Sequence, residues 1–187
     1  MLKRRTVVQV SLGGALLAGL AGLAAIGKER VALGPTDGAG WRPVAWPFPR
    51  DGWPKGRAFR CDGAACREVE VYVRPKKGFC NCDAGVADDD EVDRVADLDL
   101  MSERFAAREA GSVIRVADMP GRLRAYDLDM QDGSRRTAIG IAVSKRCDLL
   151  VAVAQGRGES ADVRRAALEY LGSPNMTRWI VAAMEGS

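Results

Sequence analysis

The sequence predicts an α+β domain in which an antiparallel β-meander sheet packs with C-terminal helices, preceded by an N-terminal membrane or export helix and a Pro/Trp-rich tether. Three observations predict it. Between Arg122 and Gly156 three β-rich runs follow one another, separated by turn signals; beyond Gly158 two helical patterns complete the chain; and the opening is a basic cluster followed by an apolar stretch.

The meander runs are Arg122 to Met130, Arg135 to Ser144 and Leu149 to Ala154. Asp132-Gly133 is a strong hairpin signal, because both residues tolerate the positive φ that tight turns need, and Lys145-Arg146-Cys147-Asp148 supplies a second loop. Alternation would set Ile139, Ile141 and Val143 with Leu149, Val151 and Val153 on one face, and Ala138, Gly140 and Ala142 with Leu150, Ala152 and Ala154 on the other. Both faces are apolar, which predicts central strands covered on each side, with the small-residue face open to a closely approaching helix. Upstream, Val69, Val71 and Val73 alternate with Glu68, Glu70, Tyr72 and Arg74, the pattern of a half-buried strand that Pro75-Lys76-Lys77-Gly78 should break. A further β-like run covers Ser112 to Ala117.

Ser160 is placed to cap a helix with Val163, Ala166, Ala167, Tyr170 and Leu171 on its apolar side and Gly172 at its end. Ser173-Pro174 then starts another helix, serine as cap and proline in the first turn, carrying Met176, Trp179, Ile180 and Ala183 inward.

A chain of 187 residues is long enough for one domain with a sizeable core, and its organisation reads as leader 1–30, tether 31–60 and domain 61–187. The leader has Lys3-Arg4-Arg5, then an uncharged apolar run over 6–27, then Lys28-Glu29-Arg30. A run of that length can cross the cytoplasmic membrane as a helix, and basic residues before it hold that end inside. Arg4-Arg5-Thr6-Val7-Val8 resembles the twin-arginine export signal, which implies a passenger that folds before it crosses. Gly22-Leu23-Ala24 is a weak cleavage signal, so an uncleaved anchor is the preferred reading. The expected place is the cytoplasmic membrane with the domain on the periplasmic side, or the periplasm if the leader is cleaved. The whole chain carries +3, but five basic residues and one acidic one in 1–30 account for +4, leaving −1 for the rest. A near-neutral domain has no electrostatic claim on nucleic acid.

Histidine is absent. That removes Ser-His and Cys-His nucleophilic pairs, His-ligated zinc, Rieske centres, blue copper and c-type haem attachment, and neither a P-loop nor a dinucleotide fingerprint is present. No acid–base pair can be nominated, so an enzyme is not expected. The five cysteines, Cys61, Cys66, Cys80, Cys82 and Cys147, read as disulfide candidates for an oxidising compartment, with one left over. Cys80 and Cys82, two apart, have poor geometry for bridging each other; Cys61 and Cys66 could close a short loop, and Cys147 could staple the Cys80-Asn81-Cys82 segment to the sheet. Gly78-Phe79-Cys80-Asn81-Cys82 resembles the Cys-Phe-Cys element of membrane-anchored copper-delivery proteins of cytochrome oxidase assembly, with Asn81 in place of the intervening Phe. That resemblance implies a Cu(I) site of two thiolates at Cys80 and Cys82. An iron–sulfur reading of Cys61 and Cys66 is weaker still, since the third cysteine of the plant-type spacing falls on Val69.

The tether interleaves Pro35, Pro43, Pro47, Pro49 and Pro54 with Trp41, Trp46, Phe48, Trp53 and Phe59. Such a strip can dock another protein or lie at a membrane interface; the alternative, preferred because exposed Trp is costly, is that it folds back and seals the domain's own core. An acidic run follows Cys82: Asp83, Asp88, Asp89, Asp90, Glu91, Asp93, Asp97 and Asp99. It reads as the first turn of a short helix capped by Asp88 or Asp89 with Val92, Val95 and Leu98 inward, or else as a Ca²⁺ site or a face for a basic partner. Arg122, Arg124, Arg135 and Arg136 would gather at the hairpin, to grip an anion or to pair with Asp127 and Asp129.

The functional expectation is a membrane-tethered or periplasmic non-catalytic accessory or assembly domain without a cofactor. It would bind another envelope or membrane protein through Trp41, Trp46 and Trp53 or through Asp88, Asp89, Asp90 and Glu91. The alternative is a Cu(I) or redox carrier using Cys80 and Cys82.

Overall fold

The computed structural model describes residues 40–66, 68–78 and 82–185. The expected export helix at 6–27, the tether before residue 40, and Cys80 lie outside them. Among the described residues no helix is long and apolar enough to cross a membrane.

Along the chain come β1 (Trp41–Val44), β2 (Arg57–Cys61), β3 (Glu70–Lys76), α1 (Asp89–Val95), β4 (Arg104–Ala107), β5 (Ser112–Val116), β6 (Met119–Asp129), β7 (Arg135–Lys145), β8 (Asp148–Gly156), α2 (Ser160–Leu171) and α3 (Pro174–Glu185). The eight strands among the described residues form one antiparallel sheet in the order β1-β2-β3-β8-β7-β6, with β4 and β5 both paired to β6. The fold is α+β, and its centre is the expected meander of β6, β7 and β8. The β6–β7 turn carries Gly133 at φ 79, and the Asp132 carboxylate accepts hydrogen bonds from the Ser134 amide (2.9 Å) and hydroxyl (2.6 Å).

The strands β7 and β8 are covered on both faces, but the expected division of their side chains is wrong. The β7–β8 turn has two residues, Arg146 and Cys147, between the pair Lys145 and Asp148. A two-residue loop pairs odd-numbered positions with even-numbered ones, so Ile139, Ile141 and Val143 face the same way as Ala154, Ala152 and Leu150. Large residues thus stand beside small ones on each face, and the two layers interdigitate. The first face packs on α2 and α3 through Val163, Ala167, Leu171, Met176 and Ile180. The second carries Ala138, Ala142, Leu149, Val151 and Val153 under Val92, Val95, Ala96 and Leu98 of α1 and its exit. Close approach does occur at Gly140: a Cβ there would lie 3.0 Å from the Tyr126 ring and 3.1 Å from the Ala96 Cβ.

The sheet takes in Trp41–Val44 and Arg57–Cys61, so the strip folds back on the domain, the preferred reading of its rings, while other expectations are corrected element by element. Pro43 is tolerated because β1 is an edge strand, where a missing amide donor leaves no partner unsatisfied. β3 is not half-buried, since Glu70, Tyr72, Arg74 and Lys76 on its second face are all under 9% exposed. Nor does Pro75 break it: pairing with β2 ends at Val73, so beyond that point only β8 flanks β3 and a residue without a donor is accommodated. Finally, α2 has Glu159 at its cap with no side-chain bond, Ser160 being its first residue. α3 starts as expected, with the Met176 amide 3.4 Å from the Ser173 hydroxyl.

Candidate functional site

Twelve residues, 45–56, connect β1 to β2 and lie over the second face of β3. That length is at the upper end of the usual range for connections without secondary structure in compact domains, beyond which they are functional or serve as linkers. Pro47, Pro49 and Pro54 restrict its backbone, and aromatic rings anchor it. Phe48 meets Tyr72 edge-on with centroids 5.0 Å apart, and Trp46 approaches Phe48 at 5.2 Å and Tyr72 at 6.2 Å.

Beneath the strap sits Arg74, 2% exposed. Its Nη1 and Nη2 donate to Asp51 of the strap at 2.9 and 2.6 Å, and its Nε and Nη2 donate to Asp97, just after α1, at 2.6 and 2.7 Å. Two forked carboxylate pairs on one guanidinium are the strong form of ion pair. Lys76 adds its Nζ 2.7 Å from Asp97 and 2.9 Å from the Val95 carbonyl, and 5.7 Å from the centre of the Trp53 ring. Two cations and two carboxylates make this cluster neutral, which lets it stay charged under cover. Burial works against the Arg74 charge, but hydrogen bonds to Asp97 and Asp51 raise its pKa above the ordinary value. In return the Arg74 guanidinium holds the Asp51 carboxyl at about 2.

The strap leaves a cleft of ≈ 640 Å³ walled by Trp46, Phe48, Pro49 and Trp53, with Arg50 and Lys55 exposed at its rim and Arg74 in its lining. Trp41 is not part of it: buried, it stacks on Tyr170 of α2 with centroids 4.3 Å apart. The strip therefore both closes the core, through Trp41, and builds a cleft, through Trp46 and Trp53.

The middle of the acidic run forms α1, and several of its carboxylates meet partners within the domain. Asp88 caps the helix by accepting from the Glu91 amide at 2.9 Å. Asp89 takes the Arg122 guanidinium (2.7 Å) and the Gly111 amide (2.8 Å), which lower its pKa. Glu91 holds Arg94 at 2.6 Å, and Asp93 accepts from Arg124 at 2.7 Å and from the Tyr126 hydroxyl at 2.5 Å. Burial and that contact raise the Tyr126 pKa. Asp83, Asp88, Asp90 and Asp99 stay exposed. The arginines of the meander are accordingly not gathered at one hairpin: Arg122 and Arg124 serve α1, Arg135 pairs with Asp129 at 3.4 Å, and Arg136 lines a different cavity. Alternation turns Arg135 to the other face, and Arg136, although it shares a face with Arg122 and Arg124, stands opposite Leu128, four positions further along β6 than Arg124.

Among the described residues there are two disulfides. Cys61–Cys66 closes the loop after β2, with Cα atoms 5.9 Å apart, and Cys82–Cys147 ties the segment before α1 to the tip of the β7–β8 turn, with Cα atoms 4.4 Å apart. Joined to Cys147, Cys82 has no thiolate to offer; ligation by Cys80 and Cys82 together requires that this bridge first be reduced. Among the described residues no three Cys, Asp or Glu side chains form a group able to hold a metal.

Sequence reasoning missed Arg74 as part of the cleft because charged residues alternating with valines read as a solvated face, and missed Asp51 because the strip was read for its prolines and rings. The available signal was the strip itself: a proline-rich aromatic segment preceding such a strand must lie on something. Comparison with known protein-family models finds no match, and comparison with curated proteins finds none either.

Proposed function

We propose that this protein is a non-catalytic accessory domain, tethered to the cytoplasmic membrane by residues 6–27 and facing the periplasm, that grips a segment of another envelope protein in the cleft of the 45–56 strap. The observation that carries this reading is the cleft: four apolar walls of Trp46, Phe48, Pro49 and Trp53 held over a buried, neutralised charge cluster and flanked by two exposed cations. Tryptophan and arginine are the residues that most often dominate binding energy at interfaces, and a strap fixed by Arg74 loses little freedom when it binds. The basic cluster Lys3-Arg4-Arg5 before the apolar run supports the address.

The test is a double substitution of rings that line the cleft but do not fill the sheet core, Phe48→Ala with Trp53→Ser. Solubilised envelopes from cells making the unaltered chain should contain it in an assembly larger than itself on a native gel, and the double variant, still folded by circular dichroism, should migrate alone. A folded double variant that remains in the assembly would remove the cleft from the reading.

A further inference from the structure

On the same face of the sheet as the strap, register sets Arg60 of β2 opposite Glu70 of β3, and Glu70 opposite Gln155 of β8. Glu70 is buried and fully occupied. Its Oε1 accepts from the Arg60 Nε at 2.8 Å and from the Arg60 Nη2; its Oε2 accepts from the Tyr72 hydroxyl at 2.7 Å and from the Gln155 Nε2 at 2.8 Å. Burial alone would raise its pKa, but the donors of Tyr72, Arg60 and Gln155 bring it below the ordinary carboxylate value. The row is a rigid polar support that fixes the Arg60 guanidinium.

That support lines a cavity of ≈ 220 Å³ together with Asp62, Glu68, Arg136 and Arg157. Two of its charges are already answered, Glu70 by Arg60 and Asp62 by Arg42. Arg136 and Arg157 form no ion pair among the described residues, and Asp132, which feels both, is hydrogen-bonded to Ser134 instead. The Arg136 Nε is sealed from solvent and meets no acceptor, so one edge of that guanidinium has lost water without gaining a partner. Glu68 stands at the same cavity with φ 61, a left-handed conformation that a glutamate adopts only under local constraint. Two unanswered guanidinium groups and one carboxylate leave the cavity one positive charge in excess.

We propose that this cavity is a binding site for a small monocarboxylate, held by the forked donors of Arg136 and Arg157 beside the fixed Arg60. A planar carboxylate matches a guanidinium fork in shape, and a single negative charge neutralises the site. Glu68 repels a second charge, which disfavours dianionic phosphate. The site is separate from the strap cleft and does not depend on what the cleft binds.

Arginine side-chain NMR on the full-length protein tests it, with acetate as the probe, chloride at equal ionic strength as the control, and inorganic phosphate above its second pKa as competitor. Acetate should shift the Nε–H signals of Arg136 and Arg157 saturably and leave Arg124, paired with Asp93, unmoved. Arg157→Gln, at an exposed position, should weaken acetate about tenfold, the usual scale for losing one charge-assisted hydrogen bond. Glu68→Gln should let phosphate bind more tightly than it does to the unaltered chain. The proposal is overturned if chloride reproduces the acetate shifts, if Arg157→Gln binds acetate as the unaltered protein does, or if phosphate displaces acetate from the unaltered site.

Discussion

Replacing Cys82 and Cys147 together by serine is expected to lower the unfolding free energy by about 4 kcal/mol, the chain-entropy value for a crosslink that closes a loop of 65 residues. The same treatment of Cys61 and Cys66, which are separated by five residues, should cost about 2 kcal/mol. The larger bridge matters for position as well as entropy. It leads into α1, the element that covers the second face of the meander, and the chain between them passes so close to β7 that a Cβ on Gly85, at φ 58, would sit 2.3 Å from the Ser144 hydroxyl oxygen. Urea unfolding without reductant measures both variants. Equal losses, or a smaller loss for the long loop, would contradict this account of the staple.

Arg74→Met is expected to cost about 3–5 kcal/mol, because it leaves the buried Asp97 and the Asp51 carboxylate with only Lys76 between them. Arg94→Met, which breaks an exposed pair with Glu91, should cost about 1 kcal/mol or less. The strap pair also carries a pH dependence of definite sign. The Asp51 carboxyl lies at about 2 in the folded chain against an ordinary 3.8, so its contribution is fully present above pH 3.8 and is lost as the pH falls through about 2. Tryptophan quenching by acrylamide should rise over that acid window, and should already be raised at neutral pH in Asp51→Asn. An Arg74→Met variant as stable as Arg94→Met would mean that the cluster does not hold the strap.

The meander was legible because its signals are local. Asp132-Gly133 marks a turn, alternation marks strands, and Ser173-Pro174 marks a helix start, each within a few residues. Partnership between distant segments was not legible. Which faces of β7 and β8 coincide depends on whether their loop holds an odd or even number of residues, and Lys145-Arg146-Cys147-Asp148 permits either until the pair Lys145 and Asp148 is seen. The polar side of β3 looked solvated because its cover, the strap and Asp97, comes from residues 23 positions away on either side. The acidic run and the meander arginines were both visible, but as two faces seeking partners; their pairing, Asp89 with Arg122 and Asp93 with Arg124, spans more than thirty residues in each case. Both disulfides lay among the pairings that spacing left open, and only the fold selects them.

A photocrosslinking amino acid at position 55, on the rim of the cleft, tests the central claim most directly when the full-length chain is irradiated in intact cells. The control places the same amino acid at position 169, on the α2 face of the molecule. The account predicts one discrete adduct with an envelope protein from position 55, none from position 169, and loss of the adduct when Phe48→Ala and Trp53→Ser are added. The same adduct from both positions, or an adduct from position 55 that survives removal of the two rings, would contradict it.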